Sequence, residues 1–409
     1  MKPQALRMAD FTYALPDERI AYFPLEQRDQ SKLLVYKDGV CTDKIFKDLS
    51  SSLPDNALLV FNDTKVIQAR ILFVGEKDTI EVFCLEPLQP SELIELAMGA
   101  SNSCVWRCLI GNNKRWKDLP QVATFNDGTT KVKLTAEKLR KEDDAFVVKF
   151  SWEPADLSFA RVLEIGGKTP LPPYIKREAE ESDKDRYQTV YARAHGSVAA
   201  PTAGLHFTQG VIDSLAAKNI TTANITLHVG AGTFKPVKVD YLREHEMHAE
   251  QIHITKELLD TLIAAIGTRP IIPVGTTALR TLESLYWLGL KLRHYEGDEP
   301  AEISIDQWEP YDINPSLLVE PRKALESIAA YMKEHKLNAL HGKTRLLIAP
   351  GYRFKFADAI VTNFHQPQST LLLLIAALIG PDWRKVYDYA LASDFRFLSY
   401  GDSSLLFKS

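Results

Sequence analysis

The 409-residue chain is 45% apolar and 25% charged, with 20 glycines and 22 prolines, which excludes a collagen-like or largely disordered polymer and indicates a folded chain of two or three domains. Its 49 basic and 53 acidic residues give a net charge of −4, which argues against a nucleic-acid binder held by bulk charge but not against a local basic face. Cys41, Cys84, Cys104 and Cys108 form no Cys-x-x-Cys pair, so neither a zinc knuckle nor a disulfide framework is indicated and a reducing cytoplasm is the expected home. Residues 1–10 lack the apolar core of a signal peptide, and the apolar run Leu371–Ile379 is too short to span a bilayer. It reads as a core helix, and no membrane partner is expected.

The first sixty residues mix short patterns and end in Ala57–Phe61, an apolar run suited to a buried strand, after which Asn62-Asp-Thr-Lys turns the chain. From Val66 to Phe150 the reading is β: Ile67–Phe73, Ile80–Leu85, Val105–Ile110, Gln121–Phe125, Lys131–Leu134 and Phe146–Phe150 are short runs between turn residues. Strands and helices then alternate: a strand over Ile220–Val229, a helix over Lys256–Ile266, a strand over Ile271–Val274 and a helix from Ala278. A strand over Ala359–Thr362 and a helix from Thr370 complete the series, and the pattern predicts an α/β unit with a largely parallel sheet. The simplest organisation is an α/β catalytic domain split into 1–61 and 151–409, with a small antiparallel β-barrel inserted at 62–150.

Charge separates the two units. Val105–Lys149 holds ten basic and six acidic residues, net +4, which leaves −8 for the rest; the excess serves either to solvate strand edges or to form a phosphate-contacting face. The charged stretch Glu178–Arg186 is expected as a mobile loop. Tyr286–Lys343, which carries Pro300, Pro310, Pro315 and Pro321 before a helical pattern around Lys323–His335, is expected as an insertion over the α/β core.

Chemistry-bearing residues gather in a few places. Gly196–Thr208 is rich in small residues that allow close backbone approach to a ligand, with Thr202 and His206 as polar handles. Leu227–Phe234, with His228, Gly230 and Gly232, follows a strand, but its lone Gly-x-Gly lacks the third glycine and helix onset of a dinucleotide fingerprint. Ile271–Glu283 reads as strand, tight turn and helix, so Thr276, Thr277 and Arg280 form a candidate anion seat. Val361–Thr370 is a second such junction, and Asn363 and His365 fall beyond a strand's carboxyl end, where open α/β sheets bind ligands. His245-Glu-Met-His248-Ala-Glu250 would present metal ligands if helical but lacks a matching downstream motif, so no metal is expected.

The ordered set Asn62–Arg70, Pro170–Ile175, Tyr187–Tyr191, Val198–Phe207, Leu227–Phe234, His245–Glu250, Val274–Thr277, Thr362–His365 and Ser399–Asp402 resembles the S-adenosylmethionine:tRNA ribosyltransferase-isomerase family of queuosine biosynthesis. The resemblance spans Asp10–Leu406 and implies an α/β domain carrying an inserted β-barrel. It also implies that S-adenosylmethionine is consumed as a ribosyl donor, with no further cofactor. The ribosyl unit passes to the 7-aminomethyl-7-deazaguanine base in a tRNA anticodon loop, adenine and methionine leave, and epoxyqueuosine-tRNA results.

Such a reaction needs a base to remove a C5′ proton beside the sulfonium and an acid to help adenine depart. His206, His228, His248 and His365 are the candidates, their roles as acid or base left open. Gly275–Thr277 with Arg280 suits the amino-acid carboxylate, and Tyr187 and Tyr191 suit stacking on adenine or the target base. Asn62, Asp63 and Arg70 lie at the domain junction, and Tyr400 and Asp402 in the final motif complete the substrate-binding set. The partners implied are tRNA and S-adenosylmethionine, acting on a monomer. Gln68 where the family has Pro, the Ile110–Arg115 loop, Asp402-Ser-Ser-Leu405, and a Tyr286–Lys343 segment longer than usual depart from the pattern. They bear on acceptor recognition and leave open the same donor chemistry on another acceptor; the histidines alone also leave open a metal-dependent hydrolase.

Overall fold

The computed structural model describes all residues except 1–2, 76–77, 118, 231–238, 294, 296 and 298–302. Leu58–Asn62 is buried at every position and is the second strand of a six-stranded sheet. On one side lies Ile271–Pro273 and on the other Thr221–His228, both parallel to it. Beyond Thr221–His228 the sheet continues with Glu250–Thr255 and Ala339–Thr344, both antiparallel, and ends on Ser304–Ile305. A second sheet runs Ala359–Asn363, Ser403–Phe407, Lys32–Lys37, Val40–Ile45. A parallel bridge between Val274 and Val361 joins the two edge to edge. The sheet system is therefore mixed, not largely parallel. The antiparallel pair Ala359–Asn363 and Ser403–Phe407 is buried on both faces and carries the same apolar signature in either direction, whereas Glu250–Thr255 and Ala339–Thr344 alternate buried with more exposed positions and are too polar to stand out as apolar runs.

The predicted barrel is a half-barrel. Seven strands run in the order Gly167–Lys168, Arg70–Val74, Thr79–Gln89, Ser103–Gly111, Ala145–Glu153, Lys131–Glu142, Gln121–Asn126, every neighbour antiparallel. Among the described residues the two outer strands do not pair with each other, so the sheet curls without closing. Register shifts at Cys84/Glu86, Pro87/Gln89 and Val147/Val148 sharpen the curl. The helix Phe159–Gly166, capped by Ser158, fills the open side with Phe159, Val162 and Leu163. Phe159 meets the rings of Trp106, Phe150 and Trp152. The first expected strand is shorter than its apolar run, beginning at Arg70, because the Ile67 N–H is taken by the Ser197 carbonyl.

Tyr286–Lys343 belongs to the body of the protein instead of lying over it. Its first residues finish the helix Thr276–Arg293, buried along nearly all its length, and its helix Pro321–Glu334 packs across that one at Gly289. An added Cβ at Gly289 would stand 2.2 Å from the Ala324 carbonyl oxygen, so only glycine permits this crossing. The Glu178–Arg186 stretch is likewise pinned: Asp183 is buried, accepts both Arg177 Nη atoms at 2.7 and 2.8 Å, and accepts the Tyr400 hydroxyl at 2.7 Å. Arg177 is a near neighbour in the chain, but Tyr400 lies 217 residues away, at a distance no local pattern reveals. No helix among the described residues is long and apolar enough to cross a membrane.

One buried carboxylate ties the central helix to the segment that feeds its neighbouring strand. Glu283 accepts the backbone N–H groups of Lys355, Phe356 and Ala357 at 2.8–3.2 Å and the Tyr352 hydroxyl at 2.9 Å. Burial raises its pKa, and these donors work against that rise. Glu283→Ala, which orphans all four donors, is expected to cost about 3 kcal/mol or more in urea unfolding, and Glu283→Gln distinctly less. Equal stability of Glu283→Ala and wild type would show that the carboxylate does not hold this loop.

Candidate active site

The parallel strands Ile271–Pro273 and Ala359–Asn363 end side by side, and each leads into a helix start at the same sheet edge. Gly275, at φ +90°, makes the first turn, and its N–H donates to the Val361 carbonyl at 2.8 Å. The helix Thr276–Arg293 begins at once. The second junction runs through His365 and Gln366 to Ser369, which caps the helix Thr370–Ile379 by accepting from Leu372 N–H at 3.1 Å. Between these helix starts, the Ala199–Ala203 loop, Val229–Gly230 and His245–Glu250 lies a cavity of about 330 Å³. It is the crevice at strand carboxyl ends that open α/β sheets favour for ligands.

Nine predicted residues line it: Tyr187, Thr202, Gly230, His248, Thr276, Thr277, Arg280, Asn363 and His365. The helix start supplies first-turn N–H groups that have no carbonyl within the helix to bond, at its positive end. Arg280 is not a free cation. Its Nη1 pairs with Glu250 Oε2 at 2.5 Å, its Nε donates to the Leu346 carbonyl at 3.1 Å, and its buried Nη2 has no hydrogen-bond partner among the described residues. Glu250 was part of the His245–Glu250 motif, which is extended here and not helical, so its histidines share no helical face. No local pattern marks this glutamate and Arg280, thirty residues apart, as partners.

The four histidines separate into two at the cavity and two behind it. His365 lines the cavity, with Nε2 3.1 Å from Thr362 Oγ1 and its backbone N–H on the Tyr387 hydroxyl. His248 lines both this cavity and a second one. His206 is buried behind Asn363: its Nε2 is 3.1 Å from Asn363 Nδ2 and its Nδ1 is 2.9 Å from Ser31 Oγ. Asn363 Nδ2 also donates to the Leu398 carbonyl at 3.1 Å, which fixes the amide orientation. His206 Nε2 is thus the acceptor and its proton sits on Nδ1. Asn363 Oδ1 is left buried without a partner. His228 Nδ1 meets Thr64 Oγ1 at 2.9 Å, and its ring faces the second cavity.

That second cavity, about 530 Å³, lies between the half-barrel and the mixed sheet. It meets the first at Val229, Gly230 and His248, and Arg70 lines it while paired to Glu81 at 2.6 Å. Other predicted residues are structural in their contacts. Asn62 spends both ends of its amide on Leu227, Thr64 and Thr277, and Asp63 accepts from the Thr226 hydroxyl at 2.7 Å. Tyr191 packs on Phe61 with ring centroids 4.4 Å apart, and Asp402 accepts from the backbone of Lys32 and Arg396. Tyr400 is held by Asp183, and Gly232 lies outside the described residues. Sequence reasoning missed Tyr174, Gln366, Gln368 and Ser399 as cavity residues. Tyr174 and Ser399 stood in quoted motifs, and their hydroxyls meet at 2.5 Å.

Burial pushes the pKa of His206 down to about 3, that of His365 to about 3 and that of His228 to about 4. All three fall below the unfolded value near 6.5, so the stability they contribute is complete above pH 6.5 and is lost as pH falls toward 4. The denaturation midpoint is expected to drop between pH 7.5 and 5, by about 2 kcal/mol per histidine at pH 5. A flat profile over that range would show that these rings are not buried neutral.

The model of the queuosine biosynthesis protein family matches residues 8–313 and 320–406. The match is interrupted only at 314–319, so nearly all of Tyr286–Lys343 is shared with the family. The S-adenosylmethionine:tRNA ribosyltransferase-isomerase of Azoarcus sp. is 38% identical over 407 residues, 98% of this chain and 97% of that one. The protein of the same name from Trichlorobacter lovleyi is 36% identical over 97% of this chain and 98% of its own. A crystal structure of S-adenosylmethionine tRNA ribosyltransferase from Thermotoga maritima is similar at 27% identity and a TM-score of 0.46, covering 97% of this chain and 99% of that one. On the family match across almost its whole length, this chain belongs to the queuosine biosynthesis family of S-adenosylmethionine:tRNA ribosyltransferase-isomerases.

Proposed function

We propose that this chain transfers and isomerises the ribosyl unit of S-adenosylmethionine onto the 7-aminomethyl-7-deazaguanine base of tRNA, giving epoxyqueuosine-tRNA and releasing adenine and methionine. S-adenosylmethionine is a consumed substrate in this chemistry. The observation that carries the reading is the meeting, in a chain of this family, of two helix starts and three imidazoles, His245, His248 and His365, at one 330 Å³ cavity; of these, His248 and His365 are among the four histidine candidates. The helix start at Thr276 and Thr277, with the unpartnered Nη2 of Arg280, suits the donor's carboxylate. His248 and His365 are the proton-transfer pair, because both line the cavity whereas His206 and His228 do not. His365 is neutral at physiological pH and can accept a proton or a hydrogen bond. His206 acts through Asn363, whose amide it orients. In this reading the half-barrel is a domain inserted in the α/β unit, expected at 62–150 between 1–61 and 151–409; its hydrophobic core around Ile71, Val82, Trp106 and Phe150 also takes in Phe159, Val162 and Leu163 of the helix that follows.

Purified protein mixed with S-adenosylmethionine and tRNA bearing the aminomethyl base is expected to release adenine, and to release none with unmodified tRNA. Background adenine with both would sink the reading, and equal release with unmodified tRNA would redirect it to another acceptor. His248→Ala and His365→Ala are each expected to lower kcat/KM by roughly 10²- to 10⁴-fold without unfolding the protein. Full activity of either variant would remove that ring from the mechanism. Arg280→Lys keeps the pair with Glu250 but loses the planar fork. It is expected to raise the KM for S-adenosylmethionine about tenfold with a smaller change in kcat, and an unchanged KM would mean that Arg280 serves only the fold.

A further inference from the structure

Two guanidinium groups, those of Arg28 and Arg186, lie close together, and among the described residues neither forms an ion pair with a carboxylate, although Asp185 attracts Arg28 from further off. Arg28 donates to the carbonyls of Gln188 and Asp185, at 2.9 and 3.4 Å, while Arg186 donates back to the carbonyls of Leu25 and Glu26. The two segments clamp each other reciprocally, and the clamp sets like charges side by side. The Arg28 pKa is lowered first by burial and then by Arg186. Arg396 joins them around a small cavity that also holds Ser31, His206 and Tyr400; its own carboxylate contact, to Asp402, is a long 3.5 Å. On its other side Arg28 opens onto a wider groove of about 400 Å³ with Lys65, Lys184 and His195. Cavity and groove together carry five permanent cations, Arg28, Arg186, Arg396, Lys65 and Lys184, against the lining carboxylates of Glu164 and Asp185 and two partners from outside the lining, Glu181, largely exposed and 2.8 Å from Lys184, and Asp402 beside Arg396, which leaves a net positive strip. The chain as a whole is net −4. A like-charged pair at reduced dielectric is costly unless an anion completes it.

The strip borders the proposed active site. Ser399 lines both the small cavity and the catalytic one, and His206, in the strip's cavity, hydrogen-bonds Asn363 in the catalytic one. Several basic residues of the half-barrel are placed less well for this role: in the strand register Lys149 stands opposite Glu137 and Lys133 opposite Glu153, and Arg140 pairs with Glu142, so neighbouring carboxylates offset these three.

Building on the function proposed above, we infer that the strip formed by Arg28, Arg186, Arg396, Lys65 and Lys184 is a phosphate-binding track that seats the backbone of the tRNA beside the active site. The ligand chemistry is the phosphate oxyanion, gripped by Arg forks at one end and by lysine point charges at the other. The track positions the RNA without reading bases.

The test measures tRNA affinity against salt for the full-length protein. Lys65→Gln/Lys184→Gln spares the arginine clamp and is expected to weaken tRNA binding about tenfold near 0.1 M salt, lowering the slope of log K against log[salt] by one to two. Arg186→Gln is expected to do the same, with Arg186→Lys restoring part of the affinity. Calorimetric binding of S-adenosylmethionine stays unchanged in all of them, which separates a track from a folding defect. Lys131→Gln/Lys133→Gln on the half-barrel is expected to change tRNA affinity less than twofold. An unchanged slope in Lys65→Gln/Lys184→Gln, or a larger loss in the half-barrel pair, overturns the proposal. Saturable binding of inorganic phosphate in place of tRNA, at matched ionic strength, overturns the RNA assignment in favour of a free-phosphate site. Adenine release by the wild-type protein tests the enzymatic reading separately, since a protein that binds tRNA with this salt dependence but releases no adenine fails that reading alone.

Discussion

The parallel contact between Val274 and Val361 is the constraint on which the site rests. It sets two strand ends at one height, so the helices that follow both start at the same crevice. Gly275 makes this possible, because its φ of +90° lets the chain turn within one residue while its N–H still reaches the Val361 carbonyl. Glu283, two turns along the helix that begins there, gathers the N–H groups of residues 355–357 just ahead of the strand carrying Val361. Strand, turn, helix, carboxylate and returning strand thus close a loop in which moving one part strains the rest.

Around that frame most buried polar groups are matched. Asn62 uses its amide to fasten three segments, Asp183 collects Arg177 and Tyr400, and His206 is held at both nitrogens. Among the described residues, three that line the cavity each keep a buried polar atom without a hydrogen-bond partner: Tyr187 Oη, Arg280 Nη2 and Asn363 Oδ1. In a low-dielectric setting such atoms cost stability when bare and bind strongly when met by a complementary group. The protein carries that cost at the crevice, where a ligand can relieve it. The arginine pair of the proposed phosphate track follows the same logic with charge.

Much of the architecture was readable from local pattern. Buried strands announced themselves by apolar runs such as Leu58–Phe61, and the helices Lys256–Ala265 and Thr370–Ile379 by their apolar patterns, while their Thr255 and Ser369 caps emerge only in the structure. Two strand-to-helix junctions, each with polar residues past the strand end, located the cavity. The direction of Ala359–Asn363 against Ser403–Phe407 was not readable, because burial on both faces erases the alternation that marks an antiparallel edge. Closure of the half-barrel was not readable either, since it depends on whether Gln121–Asn126 and Gly167–Lys168 meet in space.

The histidines draw the division most clearly. Residue type and family pattern nominate His206, His228, His248 and His365 equally, since an imidazole's chemistry is intrinsic to the side chain. Only packing assigns His248 and His365 to the cavity and puts His206 behind Asn363 and His228 against Thr64. The same holds for charge. Composition fixes a net of −4, but where the cations collect depends on which distant segments the fold clamps together, as it does Arg28 and Arg186. Local order follows from neighbours in the chain, whereas partners hundreds of residues apart are set by the tertiary fold.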